Sequence, residues 1–354
     1  MEDNSHRTCR KGAMNMKLKE IAAKANVSIS TVSRVINNQG HFSAETRRKV
    51  MDAAKEYLKP GVSPAKIGER SYAIAVFVPE VHDFVDNDPA SSADLSHLKE
   101  EFESRGHQFM VATHSRGIPT AGPAYRMLND NKVDAAIVFD SYVDDRLVDE
   151  LIARGIPYLV TNGRRYDRVQ NVIDYDNRKG ASEAIKYLHG LGHRSIGVIA
   201  GPDDHLVSRN RLDGCKDAWR ELGLSWQERN VRAGAFDPAH GYQAAKDLIA
   251  QQSGITALFA FSDMMAFGAM KALSELKLKL PKDISLIGFD DLKLSAYTVP
   301  PLTTVRRFRY DISRLIVNML TELITNRTIA EVNVSLKTEL IERESCSSPS
   351  VVEP

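Results

Sequence analysis

The sequence predicts an α/β protein in which an all-α headpiece precedes a two-lobed, doubly wound parallel-sheet core. At 354 residues the chain is too long for one ordinary compact unit, since domains run roughly 100 to 200 residues. Its charge is unevenly divided: the first 70 residues hold 14 Lys and Arg against 7 Asp and Glu, and the remainder holds 33 against 39. A small basic module is therefore joined to a larger acidic body, although the whole chain carries only +1. Beyond Tyr72, short apolar runs alternate with helical periodicity, the pattern of parallel strands covered by helices.

The first helix runs through Leu18, Ile21, Ala22 and Ala25, apolar residues at helical spacing whose small alanines admit a close neighbour. Asn26 ends it, because asparagine tolerates the left-handed backbone of a tight helix-to-helix turn. Ser28 is placed to cap a second helix. There Val27, Val32, Val35 and Ile36 turn inward and leave Ile29, Ser30, Thr31, Ser33, Arg34 and Asn37 on a short, polar, positive outer face. A third helix starts at Ser43, with Glu45 in its first turn and Val50, Ala53, Ala54, Tyr57 and Leu58 facing inward. Two short helices joined by a tight turn and braced by a third form a helix-turn-helix, whose second helix fits a DNA major groove. A plain three-helix packing module shows the same stripes, so periodicity alone leaves both readings open.

The literal residues go further. KLKEIAAKANVSISTVSRVIN at 17–37 and HFSAETRRKV at 41–50 resemble the headpiece of the LacI/GalR family of bacterial transcription regulators. By matched position, the resemblance implies that Ile29, Ser30 and Arg34 contact base edges. Arg34 has the two donors that guanine accepts, and Ile29 has the apolar surface that meets a thymine methyl. It also implies DNA-backbone contacts from Ser28, Thr31, Ser33, Asn37 and Ser43, although Ser28 and Ser43 are explained equally well as helix caps.

Residues 59–71 resemble the family's hinge, which places an apolar wedge in the minor groove, and Ile67 matches that minor-groove position. Pro64, Gly61 and Gly68 depart from the family pattern, so a one-turn helix capped by Ser63 and a flexible tether with Ile67 packed both remain open. The expected organisation is a disordered N-terminal extension at 1–15, a headpiece at 16–58, the hinge at 59–71, a core at 72–340 and a C-terminal tail at 341–354. The tail lacks a leucine heptad, so a coiled-coil tetramer is not expected.

In the core, the expected strands are Ala73 to Val78, Ala135 to Phe139, Tyr158 to Thr161, Ser195 to Ile199, Ala257 to Phe261 and Ile284 to Phe289. Helices are expected at 92–105, 122–131, 144–154, 177–190, 208–222, 239–252 and 264–275. That number of units suits two doubly wound lobes, with a ligand cleft where the carboxyl ends of their strands meet. DNRKG at 176–180, LGHRSIG at 191–197, RNRLDG at 209–214, FSD at 261–263, ISLIGFDD at 284–291 and PLTT at 301–304 resemble the same family's effector core, which has the periplasmic-binding-protein-like fold. The resemblance implies effector contacts from Arg211 and Asp290, further polar contacts from Asn162 and Ser262, and a stacking platform at Phe236. An arginine that only donates beside a carboxylate that only accepts suits a hydroxyl-rich ligand. Asp290 as a helix cap or as a partner of Arg211, and Phe236 as ordinary core, stay open. Where many relatives carry effector-contacting aromatics, residues 82–91 offer Ala90 and Ser91.

No catalytic constellation is present. The glycines of GLGHRSIG at 190–197 end a helix and lead into a strand, the wrong order for cradling a pyrophosphate, and the P-loop, H-E-x-x-H and G-x-S-x-G patterns are missing. His193 and His205 lack metal-ligand spacing, and Cys9, Cys215 and Cys346 are scattered, so no metal, cofactor or disulfide framework is expected. No apolar run approaches the roughly 18 residues of a membrane span, and MEDNSHRTCRKGAMN has no apolar signal core, so a cytoplasmic protein is expected. These features imply a non-enzymatic repressor of carbohydrate-utilisation genes. It would bind a pseudo-palindromic double-stranded operator as a homodimer under control of a small-molecule effector, a sugar or sugar derivative. The alternatives are a nucleobase effector or a periplasmic-type sugar receptor, the latter disfavoured by the basic headpiece.

Overall fold

A computed structural model of the chain describes residues 20–36, 43–55, 71–79, 89–114, 122–130, 132–139, 142, 146–165, 171–251, 254–307, 312–326 and 331–349. The fold divides into two compact units. One holds the residues up to Ala73 together with Lys99–Phe109, and the other holds Ile74–Leu98 with Met110 onward.

In the first unit, α1 (residues 20–25), α2 (Ile29–Ile36) and α3 (Ala44–Lys55) surround a small core of Ile21, Ala22, Ala25, Val32, Val50 and Ala53, with Val27 packed against it. Asn26 has φ 53°, the left-handed turn expected from its short amide side chain. The amide of Val27 closes the turn by donating to the Ala22 carbonyl at 3.0 Å. Both expected caps form: the Ser28 hydroxyl accepts from the Thr31 amide at 3.0 Å, and Ser43 accepts from Thr46 at 3.1 Å.

The chain continues through β1 (Ala73–Pro79), α4 (Pro89–Ser104), β2 (Gln108–His114), α5 (Pro123–Asn129), β3 (Ala135–Phe139), α6 (Leu147–Ala153), β4 (Tyr158–Thr161) and β5 (Val172–Tyr175). It then runs through α7 (Asn177–Gly190), β6 (Ile196–Ala200), α8 (Leu206–Glu221), β7 (Val231–Ala233), α9 (Pro238–Gln251), β8 (Ala257–Ala260), α10 (Asp263–Glu275) and β9 (Ser285–Asp290). Last come β10 (Thr303–Arg307), α11 (Ile312–Thr325), β11 (Asn333–Leu336) and β12 (Thr338–Ile341).

Two six-stranded sheets result, in the orders β11-β5-β4-β3-β1-β2 and β12-β10-β9-β8-β6-β7. The expected two-lobed α/β architecture is therefore present. Central strands pair in parallel, Ile74 opposite Ala135 and Ile196 opposite Ala257, whereas β12 runs antiparallel to β10. The chain passes between lobes three times: after β5, after β10, and at Lys337 between β11 and β12.

The six expected strands are present, with ends shifted by a residue or so. Sequence periodicity missed β2, β7, β11 and β12, which are the four sheet edges, and their neighbours β5 and β10. Edge strands are buried on fewer sides, so their residues mix polar with apolar, as in QFMVATH and NVSL, and lack the continuous apolar run of the central AAIVF. Residues 342–349 do not leave the fold: the Ser345 hydroxyl donates to the Leu286 carbonyl at 2.6 Å, and Ser347 donates its amide to the Ser285 hydroxyl at 3.0 Å.

Each lobe has its own core, one around Phe77, Val138 and Val160 and the other around Ile199, Phe259, Phe261 and Phe289. In the second lobe α9 and α10 touch backbone to backbone, because Gly241 faces the Met265 carbonyl and Gly268 faces the Pro238 carbonyl with no room for a methyl group. Replacing Gly268 with Ala forces the two helices apart, and the expected cost is about 1–3 kcal/mol of overpacking strain, read as a lower denaturant midpoint at unchanged slope.

Candidate functional sites: a nucleic-acid face and an interlobe cleft

On the headpiece, the amphipathic period of α2 buries Val32 and leaves Ile29 and Ser30 exposed at its first turn. Ile29 is 37% exposed, an apolar side chain offered to solvent beside a row of hydroxyls. Ser28 Oγ lies 2.7 Å from Ser30 Oγ and 2.8 Å from Thr31 Oγ1. Ser43 caps α3 and is exposed. Ser33 and Arg34 lie in α2, their side chains outside the described residues; Asn37 and Ile67 lie wholly outside them.

The cleft is assembled where the carboxyl ends of both sheets face each other. Asn162 follows β4 of the first lobe, Ser262 follows β8, and Asp290 ends β9 of the second. Arg211 reaches them from α8. Its Nε donates to Asn177 Oδ1 at 2.9 Å, Nη1 donates to the Phe261 carbonyl, and Nη2 lies 3.6 Å from Asp290 Oδ1. The guanidinium lies 3.7 Å from the centroid of the Phe289 ring, a cation–π contact. Arg211 and Asp290 thus meet, and both they and Asn162 are buried. The short helical turn that follows at Lys293–Ala296 has Leu292 as its N-cap rather than Asp290. The nearer cation of Asp290 is Arg307 at the end of β10, whose Nε is 2.9 Å from the same Oδ1.

Arg307 also crosses to the first lobe, where Nη1 donates to Asn162 Oδ1 at 3.5 Å and the guanidinium lies 5.3 Å from the Tyr175 ring centroid. Sequence reasoning missed this residue because it did not identify β10, although the β-branched run in LTTVRR carries that signal. Ser262 is the N-cap of α10, its hydroxyl accepting from the Met265 amide at 3.2 Å. Phe236 packs over Gly201, where any side chain would collide with its ring, and adjoins His205 at 6.4 Å between centroids. His205 continues to Tyr142 at 4.9 Å and Tyr142 to His114 at 5.4 Å, a chain of rings crossing the lobes beside a backbone bridge between Tyr142 and His205. The sequence reading noticed none of these three side chains as a group.

Two buried carboxyls stand behind the cleft. Burial first, and then the neighbouring charge of Asp290, push Asp263 up to about 7. Its oxygens accept from the Leu292 amide at 2.8 Å, Ser295 Oγ at 2.5 Å and Thr304 Oγ1 at 2.6 Å. Burial likewise raises Asp174 to about 6, partly offset by the amides of Arg164 and Tyr175 and by the charges of Arg164 and Arg307. Among the described residues no group of three or more His, Cys, Asp or Glu could hold a metal ion, and no helix is long and apolar enough to cross a membrane.

A helix-turn-helix followed by two parallel-sheet lobes with a polar cleft defines a DNA-binding protein with a ligand-binding core. The profile described as "Bacterial regulatory proteins, lacI family" matches residues 17–57, and the one described as "Periplasmic binding protein-like domain" matches 185–346. The chain is 30% identical to the HTH-type transcriptional regulator CelR of Thermobifida fusca, over 93% of this chain and 97% of that one. It is 32% identical to the HTH-type transcriptional repressor PurR of Klebsiella pneumoniae, over 95% and 98%. Among solved structures, a CelR–cellobiose complex aligns at 31% identity with a TM-score of 0.70, covering 93% of this chain and 99% of the other. The Lac repressor dimer bound to operator and the anti-inducer ONPF aligns at 26% with a TM-score of 0.70, covering 92% and 98%. The chain belongs to the LacI family of bacterial transcription regulators, and it is a DNA-binding regulator rather than an enzyme.

Because the native fold raises Asp263 above its ordinary value, the native state binds a proton more tightly than the unfolded chain. The resulting stability is fully present below about pH 4 and is lost as pH rises through about 7. Asp263→Asn keeps an acceptor for Leu292 and removes that titration. Denaturant midpoints measured from pH 5 to pH 8 should show the variant gaining on the wild type as pH rises, by at most about 1.4 kcal/mol per pH unit.

Proposed function

We propose that the protein is a cytoplasmic repressor of carbohydrate-utilisation genes, working as a homodimer whose headpieces read a pseudo-palindromic operator. A sugar-type effector held between the lobes sets its affinity for that operator. The observation carrying this reading is the convergence of Arg211, Asp290 and Asn162 in one buried cleft, in a chain whose α2 offers Ile29 and Ser30 to solvent. A donor-only guanidinium beside an acceptor-only carboxylate matches the paired roles of a sugar hydroxyl, and the CelR relative was solved with cellobiose.

In this reading Ile29, Ser30 and Arg34 meet base edges, while Ser28, Thr31, Ser33, Asn37 and Ser43 meet phosphates. The cap roles of Ser28 and Ser43 do not compete with this, since a hydroxyl that accepts from a backbone amide keeps its own proton to donate. Ile67 serves as the minor-groove wedge. Ser262 and Phe236 complete the effector site with a polar edge and a ring. Self-association is supported by an apolar surface on the second lobe, where Tyr297 and Val299 are 80% and 94% exposed beside Leu294.

Selection of bound DNA from a random pool, followed by titration of that complex with candidate sugars and nucleobases, tests the reading. With the selected site in hand, Arg34→Ala should cost about 1–3 kcal/mol at one base position and relax specificity there. Equal weakening on every sequence would instead make Arg34 a phosphate contact. Asp290→Asn should abolish the effector response while DNA binding persists, the lost coupling being on the order of 1–3 kcal/mol. An unchanged response would place the ligand elsewhere.

A further inference from the structure

Apart from the cleft, a cavity of about 380 Å³ opens between α7, α8 and β11, and none of its lining residues is among those that build the cleft. The first lobe supplies Arg164, after β4, and Ser335 of β11. The second lobe supplies Asp176, Lys179, Ser182 and Glu183 from α7 and its cap, with Asp217 and Glu221 from α8. The walls are preformed. Gly214 of α8 lies against the Arg178 carbonyl with no room for a side chain, which fixes the two helices at contact distance. Arg164 is fixed to β11, Nη1 donating to Asn333 Oδ1 at 2.6 Å and Nη2 to the Val334 carbonyl at 2.7 Å.

Some of the lining groups are already committed to one another. Arg178 holds Asp217 at 2.5 Å, and Lys186 holds Glu221 at 2.7 Å. Others are not. Ser182 is only 7% exposed, yet among the described residues its hydroxyl has no hydrogen-bond partner. The buried Nε of Arg164 has none either, and Lys179 is bound only through its backbone amide, which donates to Asp176 Oδ1 at 3.0 Å. Glu183 comes no nearer than 4.0 Å to Lys186. A polar group shut away from water without a partner costs about 1–3 kcal/mol. A polar cavity of this size therefore gains from hydroxyls that supply the missing bonds, whether from water or from a ligand that displaces it.

The lining also restricts what that ligand can be. An anion would meet Asp176, which already occupies the positive end of α7, and Glu183 two turns further along the same helix. A cation would meet Lys179 and Arg164. A hydroxyl both donates and accepts, so a neutral polyol can accept from Ser182, Lys179 and Arg164 while donating to Asp176 and Glu183. We propose that this cavity is a small-molecule site separate from the cleft, selective for a neutral polyol of monosaccharide size over its charged derivatives. Its walls belong to both lobes, Asp176 at the first passage and Ser335 two residues before the third, so an occupant bears on how the lobes are held.

Hydrogen–deuterium exchange of the full-length protein, combined with calorimetric titration, tests this with D-glucose, D-glucitol and myo-inositol as neutral probes and with glucose 6-phosphate and D-glucosamine as charged ones. At least one neutral probe should slow exchange in residues 176–186 and 331–336, and the charged derivatives of glucose should protect those segments at least about tenfold more weakly than glucose itself. Ser335→Trp, a change at an exposed edge position, should fill the cavity and remove the protection. Ser182→Ala, which removes one donor, should weaken binding by about three- to tenfold. Protection confined to 205–211 and 286–290 would mean binding in the cleft alone and overturn the proposal. So would a phosphate probe that protects 176–186 as well as glucose does, or protection unchanged by both variants. If no probe slows exchange at 176–186, the proposal falls, and the reading of the cleft as the effector site is untouched.

Discussion

A carboxylate held between two buried arginines at the edge of a parallel sheet is the constraint around which the core is arranged. An ionised group out of water persists only when it is paired, so wherever Arg211 and Arg307 are buried the backbone must deliver Asp290 to them. It does so through two successive left-handed residues, Asp290 at φ 112° and Asp291 at φ 52°. These turn the two carboxylates apart. Asp290 enters the cleft, while Asp291 takes Arg306 and Arg343 at 2.6 Å each. Burial alone would raise the Asp291 carboxyl, but Arg343 and Arg306 outweigh it and hold it below its ordinary value. Behind both, Asp263 fixes the following segment through Leu292, Ser295 and Thr304, so three consecutive features of one strand end are clamped from three directions.

How much of this the sequence discloses depends on how locally each feature is encoded. The headpiece is local: Ser28, Asn26 and the spacing of Ile21, Ala25 and Val32 each name their structural role within four residues, and the turn, cap and core follow. The central strands are equally legible because burial on both faces writes an unbroken apolar run, as in AAIVF. Arg211 and Asp290 were found through their motifs rather than through periodicity.

Arg307 escaped for a physical reason. Nothing near it in sequence shows that β10 is inserted between β9 and the antiparallel β12, so its guanidinium reads as a surface charge until the sheet order is known. The same holds for the rings of His114, Tyr142, His205 and Phe236, which lie on the end of β2 and on three separate connections and meet only when two sheets face each other. Asp263 combines both cases, legible as a residue of the α10 first turn but not as a carboxyl crowded by Asp290.

The location of these charges bears on how a ligand there would act. Lobe rotation must be absorbed where the chain passes between lobes, and such hinges are a few element-terminal residues. Asp174 and Asn177 flank the first passage, with the Asn177 amide donating to Asp174 at 3.3 Å. Arg307 is the last residue of the strand that enters the second. The third is tied to the first, since the Asp176 amide donates to the Leu336 carbonyl at 2.8 Å and Thr338 Oγ1 donates to the Asp176 carbonyl at 3.4 Å. A change at the Arg307–Asn162 contact therefore acts on the passages themselves rather than on a distant wall of the cleft. Any ligand shifts such an equilibrium only by its differential affinity for the two arrangements. A charge-assisted contact made in one arrangement and lost in the other is the kind of interaction whose energy differs enough between them to matter.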